Sequence, residues 1–339
     1  MITRRCLPLF LVIIHHLVVA MVAPAVVEVS TSYAQEAECD IKSDVSVVEK
    51  IFHQLSDDEK EQAARASSYR YMASSSPAEE GLDQRDYHAK AMIARYVTVE
   101  QKLHKSKPPD ELAYTKLKKT LEYREEKQVD DIRVCFDKAK QTDDDGLYAT
   151  LRKKLENRFE TKASYIRGYT KDGRAMFQSF PRSDTSWSEE YFIKGNIYMM
   201  ERALACTERN TNGEKDKVLV FYDYNGYALK NSPPPLLVKQ LLSDLRDHWP
   251  ERIQHVFVVD SPFIFRAFWA IVKHFIDPIT KELVQFITGE EQKVIFRDLV
   301  SEDQAAPYMF DGAKDTEETD MKVFFYDKPF DHVYGEEPK

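Results

Sequence analysis

The alternation of apolar and polar residues is most informative between residues 249 and 282. Residues 255–259 are a continuous run of β-branched and aromatic residues, which is typical of a strand buried on both faces. After a short polar break, residues 263–276 are almost entirely apolar and predict a helix. The helix ends at Asp277-Pro278, because proline lacks an amide donor and disfavours helical geometry in the residue before it.

This predicted helix is too short to cross a bilayer, which requires about 20 residues. Its apolar side chains recur at i, i+3 and i+4 spacing and form one wide stripe. The stripe consists of Phe265, Phe268, Trp269, Val272, Phe275 and Ile276. Two interpretations account for it: a helix buried in the protein core, or a lid over a cavity that holds an apolar ligand.

Strands alternate with helices over residues 155–315. A Lys-Asp-Gly turn within residues 169–177 leads into a first strand, and residues 217–222, 255–259 and 283–288 predict three more. Helices are predicted at 188–206 and 235–249. This alternation predicts an α/β fold with a mixed, mainly parallel sheet that is covered by helices.

The N-terminal third of the chain predicts helices with charged outer surfaces. Residues 45–55 have helical spacing, with Asp44 as their N-cap. Residues 83–140 predict further helices, which Pro108-Pro109 separates, and Asp110 is the predicted cap of the helix that follows.

The acidic run Asp143-Asp144-Asp145-Gly146 has the composition of a calcium loop but not its register. An EF-hand register places Gln141 at the first ligand position and Arg152 where a bidentate glutamate is required. We therefore interpret this run as a polar linker.

Residues 1–34 have the composition of a secretory leader. Arg4 and Arg5 precede an apolar stretch, and Ser32-Tyr33-Ala34 is an acceptable cleavage site. The alternative is an uncleaved signal anchor, because residues 7–27 are long enough to span a bilayer. We expect cleavage, and hence a protein that is secreted or resides in the lumen of the secretory pathway; the alternative is a protein anchored in a membrane by its N-terminus.

The charge and the missing motifs exclude several classes of function. A net charge of -9 argues against a nucleic acid as partner, because phosphate neutralisation requires a basic surface. The motifs of zinc proteases, NTPases, kinases and dinucleotide-binding enzymes do not occur, and Ser261 lacks the flanking glycines of a nucleophile elbow. We therefore expect neither an enzyme nor a cofactor.

The cysteines do not predict a metal site. Cys39, Cys135 and Cys206 are widely spaced and form no C-x-x-C pair, so neither a zinc site nor a disulfide framework is indicated. The alternatives are three idle thiols or one disulfide whose partners the sequence does not identify.

The order of motifs around the apolar helix resembles a known family. The sequence P-E-R, a strand, S-P-F-I-F, an apolar helix and D-P-I-T-K-E are similar to the signature of CRAL-TRIO lipid-binding proteins, which include phosphatidylinositol/phosphatidylcholine transfer proteins and carriers of tocopherol and retinaldehyde. The runs M-I-A-R-Y-V-T-V-E-Q and T-K-L-K-K-T-L-E-Y-R resemble, more loosely, the small helical domain that precedes the lipid domain. The resemblance implies that the apolar helix is a gate over one buried lipid.

The resemblance also implies a domain organisation. After the leader, residues 35–81 form a helical extension that ends in a Ser-rich linker, and residues 82–150 form the helical domain that precedes the lipid domain. Residues 155–315 form the lipid-binding domain, and residues 316–339 form an acidic tail with a short strand candidate, K-V-F-F-Y.

The residues that line the implied pocket are almost all apolar. Aligning the strands with the family places Val218, Val220, Val256 and Val258 toward the cavity, with Ile253 just before them; the gate contributes the stripe given above, and Leu283 follows it. Glu251 of P-E-R and Thr280 of D-P-I-T are the candidate polar contacts to a head group, although Glu251 is equally explained by pairing with a nearby base.

The resemblance argues against phosphatidylinositol as the ligand. Members that exchange this lipid carry small hydroxyl residues where this chain has Val218 and Val220, and a lysine where it has Leu283. Buried inositol hydroxyls need hydrogen-bond partners that these three side chains do not supply. We therefore expect a monomeric carrier of one lipid or other apolar small molecule, with a membrane surface as transient partner; the alternative is an anchored lipid-sensing or interaction module.

Overall fold

The structure, a computed structural model, describes residues 43–74, 82–104, 108–183, 189–263, 265–266, 269, 278–314 and 323–332. The predicted leader, Cys39 and most of the Ser-rich linker lie outside these ranges. Among the helices described, none combines the length and the apolar character needed to cross a membrane.

Most of the described N-terminal helices share a core of their own. They are α1 (Val45–Gln54), α2 (Asp57–Ser67), α3 (Tyr69–Ala73), α4 (Leu82–Leu103) and α5 (Asp110–Glu126). Ile51 of α1, Ala63 of α2, Ile93 of α4 and Leu117 of α5 are fully buried in this common core, so the extension at 35–81 contributes apolar side chains to the same helical unit as residues 82–126. The next helix, α6 (Val129–Val134), instead buries Val129 and Ile132 in the core of the α/β part.

Two predicted helix caps have different outcomes. Asp44 is confirmed as the N-cap of α1, where its carboxylate accepts hydrogen bonds from the amides of Ser46 and Val47. Asp110 is not the cap of α5, because Pro109 takes that position with helical dihedral angles. Asp110 instead begins the helix, and its carboxylate pairs with Lys50 of α1, which ties the first helix to the fifth.

The α/β part contains one five-stranded sheet. Its strands are β1 (Ser164–Tyr169), β2 (Ala175–Ser179), β3 (Val218–Asp223), β4 (Ile253–Val259) and β5 (Val284–Ile287), in the order β1-β2-β3-β4-β5. β1 and β2 are antiparallel and the other neighbours are parallel, which confirms the predicted mixed, mainly parallel sheet. β1 was not predicted, because its sequence S-Y-I-R-G-Y has no regular alternation and becomes a strand through its pairing with β2.

Helices cover this sheet. They are α7 (Leu147–Phe159), α8 (Glu189–Asn210), α9 (Pro235–His248), α10 (Pro278–Leu283) and α11 (Gly289–Leu299). α7 begins at the acidic run, where the Asp143 carboxylate accepts hydrogen bonds from the amides of Gly146, Tyr148 and Ala149. The acidic run therefore stabilises the start of a helix.

Side-chain alternation gives the sheet two different faces. On one face, the rings of Phe221 and Phe257 contact Phe296 of α11, with centroid distances of 5.2 and 5.4 Å. The other face, called here the gate-side face, presents the residues that alternate with these two. From β3 to β5 it carries Val220, Tyr222, Val256, Val258, Val284 and Phe286, which are paired across the strands in register.

The predicted strand K-V-F-F-Y in the tail is wrong. Val323–Asp327 forms a π-helical turn, and Phe324, Phe325 and Phe330 are each no more than 3% exposed. The ring of Phe325 stacks on Phe136 with a centroid distance of 4.7 Å. The apolar character of this run therefore reflects the burial of its aromatic rings in a helical turn. A buried strand would show the same run of apolar residues.

A buried histidine joins the helical unit to α9. The ring of His248 stacks on Tyr123 of α5 with a centroid distance of 3.8 Å, and its Nδ1 lies 2.7 Å from the Thr120 hydroxyl. Tyr96 donates a hydrogen bond of 2.6 Å to the same hydroxyl, which itself donates to the backbone oxygen of Asp247 at 3.3 Å. Burial lowers the pKa of the His248 imidazole to about 4.

The folded protein is therefore expected to lose stability as the pH falls from about 6.5 to about 4. In this window the unfolded chain binds a proton at His248 that the folded chain does not, so the free energy of unfolding decreases with falling pH, by roughly 2 kcal/mol for this partly exposed group. Chemical denaturation at pH 7 and pH 4.5 measures the loss. His248→Gln should reduce the pH dependence, whereas His53→Gln, at a largely exposed position, should leave it unchanged. Equal pH dependence in wild type and His248→Gln would contradict the assignment.

Candidate functional site

The gate-side face is apolar, and parts of it retain accessible surface. Val218, Val220 and Val258 are buried, with exposures of 4% or less. Val256, on the inner strand β4, and Phe286, on the edge strand β5, are only partly buried. This face therefore keeps accessible apolar surface and is a candidate wall of a ligand pocket.

The start of the gate segment, defined here as residues 263–277, lies over this face. Phe265 contacts the ring of Phe286 at 6.2 Å between centroids, and Trp269 contacts the same ring at 5.5 Å. Phe265 also packs on Tyr224, just after β3, at 4.5 Å. Two residues of the predicted stripe thus face the sheet, in the position that a lid over this wall would occupy.

The remaining predicted pocket residues have mixed positions. Phe268, Val272, Phe275 and Ile276 lie outside the described residues. Ile253 begins β4, is partly buried and pairs with Val218. Leu283 is the last residue of α10 and Thr280 lies in the same helix. α10 packs against β4, β5 and α4, so this helix adjoins both the sheet and the helical unit.

Glu251, the candidate head-group contact, has two cationic partners. Its carboxylate lies 3.0 Å from the Lys102 ammonium on α4 and 3.1 Å from the Lys217 ammonium before β3. It lines a cleft of about 1000 Å³ between the helical unit and the α/β part, whose walls carry charges of both signs. Next to it, Arg252 donates hydrogen bonds to the backbone oxygens of Ser67 and Asp216. In this structure the P-E-R motif joins the two parts of the chain.

Sequence reasoning missed two tyrosines of the gate-side face. Tyr222 is the residue after Phe221 on β3, and Tyr224 follows two positions later, with 6.4 Å between their ring centroids. Burial raises the pKa of the Tyr222 hydroxyl to about 12 and raises the pKa of the Tyr224 hydroxyl as well. The alternation Tyr-Asp-Tyr at a strand end is the signal that places both rings on one face.

A family model described as the CRAL/TRIO domain matches residues 159–307. The relatives of this chain include the phosphatidylinositol transfer protein PDR17 of Saccharomyces cerevisiae, 26% identical over 127 residues, which are 36% of this chain and 35% of that protein. They also include the human alpha-tocopherol transfer protein-like, 32% identical over 83 residues, which are 24% of this chain and 23% of that protein.

These matches are partial. Three of the curated relatives align over 12% to 35% of their own length. Among solved structures, the crystal structure of Sfh5 is similar with a TM-score of 0.47 and 16% identity, over 68% of this chain and 77% of that one.

The matched residues begin at the end of α7 and end after α11, and they include all five strands and the gate segment. The same residues carry the motifs from which the family was predicted, and that prediction is confirmed. Residues 159–307 of this chain are therefore similar to the CRAL/TRIO domain.

Proposed function

We propose that this protein binds one lipid or isoprenoid-like molecule between the gate-side face and the gate segment, and carries or exchanges it between membranes. The observation that supports the proposal most directly is the contact of Phe265 and Trp269 with the partly exposed ring of Phe286, on the same face of the sheet as the partly exposed Val256. The relatives named as a phosphatidylinositol transfer protein and as alpha-tocopherol transfer protein-like support the general class of activity.

The apolar chain of such a ligand would be held mainly by buried area. Burying ~400 Å² of apolar surface at ~25 cal/mol per Å² contributes about 10 kcal/mol to binding. The ligand's loss of motion on binding and its favourable free energy in a membrane offset much of this gain. The net affinity that remains suits exchange of the ligand rather than permanent capture. Because Val218 and Val220 supply no hydrogen bonds, phosphatidylinositol is not the proposed ligand, and a direct titration with this lipid should show no saturable binding.

The edge of the sheet near the gate is a plausible membrane contact. Phe263, just after β4, is 60% exposed, and Leu236, at the start of α9 after β3, is 81% exposed. β3 and β4 are parallel, so both residues follow strand ends at the same edge. Exposed apolar side chains at this edge, together with Trp269, would enter the membrane interface when the gate opens.

The proposal extends to properties that rest on sequence patterns. A cleaved leader would place the protein in the secretory pathway or outside the cell, and the protein would act as a monomer and without catalysis. The second candidate function, an N-terminally anchored lipid-sensing module without transfer activity, rests on the length of the apolar leader.

Native mass spectrometry of the full chain purified from its own host separates the two functions. A carrier should retain one apolar ligand per chain, because the pocket excludes water. A protein without ligand, or one that contains only detergent, would favour the sensing module and contradict the proposed carrier.

Trp269→Asp is expected to reduce transfer between liposomes at least tenfold. When the gate opens, an aspartate at position 269 has to be dehydrated at the membrane interface. In the closed state the position is partly exposed and tolerates the aspartate without loss of the fold. A fluorescent-lipid transfer assay measures the rate, and thermal unfolding checks the fold. Val294→Asp is the matched control, because the Val294 side chain lies on the exposed side of α11. This variant should transfer lipid at the wild-type rate. Unchanged transfer by Trp269→Asp would show that the gate does not act as proposed.

A further inference from the structure

The gate-side face carries two rows of side chains that differ in size. The register of β3, β4 and β5 places the members of each row side by side across the strands. The first row, called here the valine row, consists of Val220, Val256 and Val284. The second row, called here the aromatic row, lies two residues further along each strand, about 6.6 Å away, and consists of Tyr222, Val258 and Phe286.

The central valines of the two rows differ in exposure. Val256 and Val258 lie on the same face of β4, two positions apart. Val258 is 4% exposed, whereas Val256 is only partly buried. Val284, the neighbour of Val256 on β5, is also partly buried. Accessible apolar surface is therefore present over the valine row and is nearly absent at the centre of the aromatic row.

Rings from the start of the gate segment cover the aromatic row. The ring of Phe265 contacts both Tyr224 and Phe286, with centroid distances of 4.5 and 6.2 Å. Because Tyr224 follows β3 and Phe286 belongs to β5, the ring that joins them crosses β4, the strand of Val258. Trp269 adds a second contact to Phe286 at 5.5 Å. These rings account for the low exposure of Val258 and close this end of the gate-side face.

The two rows offer different amounts of surface to an apolar chain. A straight chain gains affinity about fourfold for each methylene group that it removes from water. Over the valine row, the small side chains leave apolar surface that such a chain can cover. At the aromatic row, protein rings already cover the equivalent surface, so a longer chain would have to displace them or leave its last groups in water. Displacing packed rings costs free energy, and methylene groups that stay in water add no affinity.

We propose that the aromatic row is the closed end of the ligand pocket and limits the length of the straight chain that the protein binds. Tyr222 and Phe286, the large side chains of this row, are then specificity-determining residues, and the chain of the ligand lies along the valine row. This inference rests on the proposed function and adds selection by chain length to binding by apolar area.

A series of saturated fatty acids that differ only in length tests the inference on the full chain. The probes are decanoic, dodecanoic, tetradecanoic, hexadecanoic, octadecanoic and eicosanoic acid, each used below the concentration at which it forms micelles. Their affinities are measured by displacement of the apolar fluorophore diphenylhexatriene. Wild type should gain affinity about fourfold per methylene group among the shorter acids, and the gain should stop at one chain length within the series.

Tyr222→Val and Phe286→Val give the aromatic row the side chain of the valine row. In each variant the gain should continue to longer acids, so that eicosanoic acid binds about tenfold tighter than to wild type. Val256→Phe makes the opposite change, and its gain should stop at a shorter acid than in wild type. Tyr87→Val, at a position of α4 that is 65% exposed, is the matched control and should keep the wild-type profile.

Thermal unfolding shows which variants are folded. The three substitutions on the gate-side face lie on different strands and change the limit in opposite directions, so any one that folds provides the test.

The outcomes separate this inference from the proposed function. If the affinity of wild type rises throughout the series, or if the folded variants keep the wild-type limit, the pocket exists but the aromatic row does not close it, and the inference is wrong. If wild type binds none of the acids and does not take up diphenylhexatriene, the proposed pocket itself is wrong.

Discussion

Glu201→Gln is expected to lower the free energy of unfolding by about 3 to 5 kcal/mol, the usual cost of removing one partner from a buried ion pair. Glu201 of α8 is 2% exposed and lies 2.8 Å from Arg124 of α5. Its carboxylate also pairs with Arg133 of α6 and accepts a hydrogen bond of 2.8 Å from the Trp249 indole. A neutral amide would leave the two buried guanidinium groups with the partly exposed Asp130 carboxylate as their remaining ion-pair partner.

The ionisation of Glu201 supports this expectation. Burial alone would raise its pKa, but the positive charges of Arg124 and Arg133 outweigh burial and lower it to about 2. The folded-state pKa is below the unfolded value, so the stabilisation is complete above pH of about 4.5 and decreases as the pH falls toward 2.

Urea denaturation at pH 7 measures the effect of Glu201→Gln. Glu126→Gln is the matched control, because Glu126 is 71% exposed in its pair with Lys127 and contributes little. If the two variants were destabilised to the same small extent, the buried network would not hold the helical unit to the CRAL/TRIO domain.

Phe325→Ala is expected to cost about 3 to 5 kcal/mol, as do other truncations of fully buried aromatic rings. The ring is 2% exposed and contacts Phe136, Phe159 and Tyr198 at centroid distances of 4.7, 5.4 and 5.6 Å. Next to it, the Arg202 guanidinium lies 4.1 Å from the Phe324 ring centroid and donates to the Pro329 oxygen. The C-terminal segment is therefore part of the core and not a dispensable tail.

The same substitution at an exposed phenylalanine provides the comparison. Phe263→Ala, at 60% exposure, should change the midpoint of thermal unfolding by little, while Phe325→Ala should lower it by several degrees. Similar midpoints for both variants would show that the C-terminal segment is not packed as described.

Much of the fold was predictable because it depends on short stretches. The runs at β3 and β4, and the caps and prolines around α1, α4 and α9, carry periodicity and turn chemistry that a sequence displays directly. α2 was not predicted because D-D-E-K-E-Q-A-A-R-A-S lacks large apolar residues, and its buried side consists of three alanines and Ser67. β1 was not predicted because its strand character comes from its partner β2.

The candidate site divides in the same way. The apolar residues of β3 and β4 and the gate stripe follow from local pattern and from the family resemblance. The polar residues do not: Glu251 pairs with Lys102, 149 positions earlier, and with Lys217, and no local signal identifies such partners. Tyr222 was interpreted as a strand residue, and its place on the gate-side face next to Tyr224 follows from the register of the sheet.

By itself, then, the sequence determined which stretches of this protein are strands and helices, which of their faces are apolar, and to which family the domain belongs, because these properties depend on residues within a few positions of one another. Only the tertiary structure decided that the C-terminal segment completes the core, that Glu201 joins three helices, and that the rings of Tyr222 and Tyr224 lie 6.4 Å apart at the end of β3. Those results depend on charges, rings and donors that come together from distant parts of the chain, and their free energies exist only once the chain has folded.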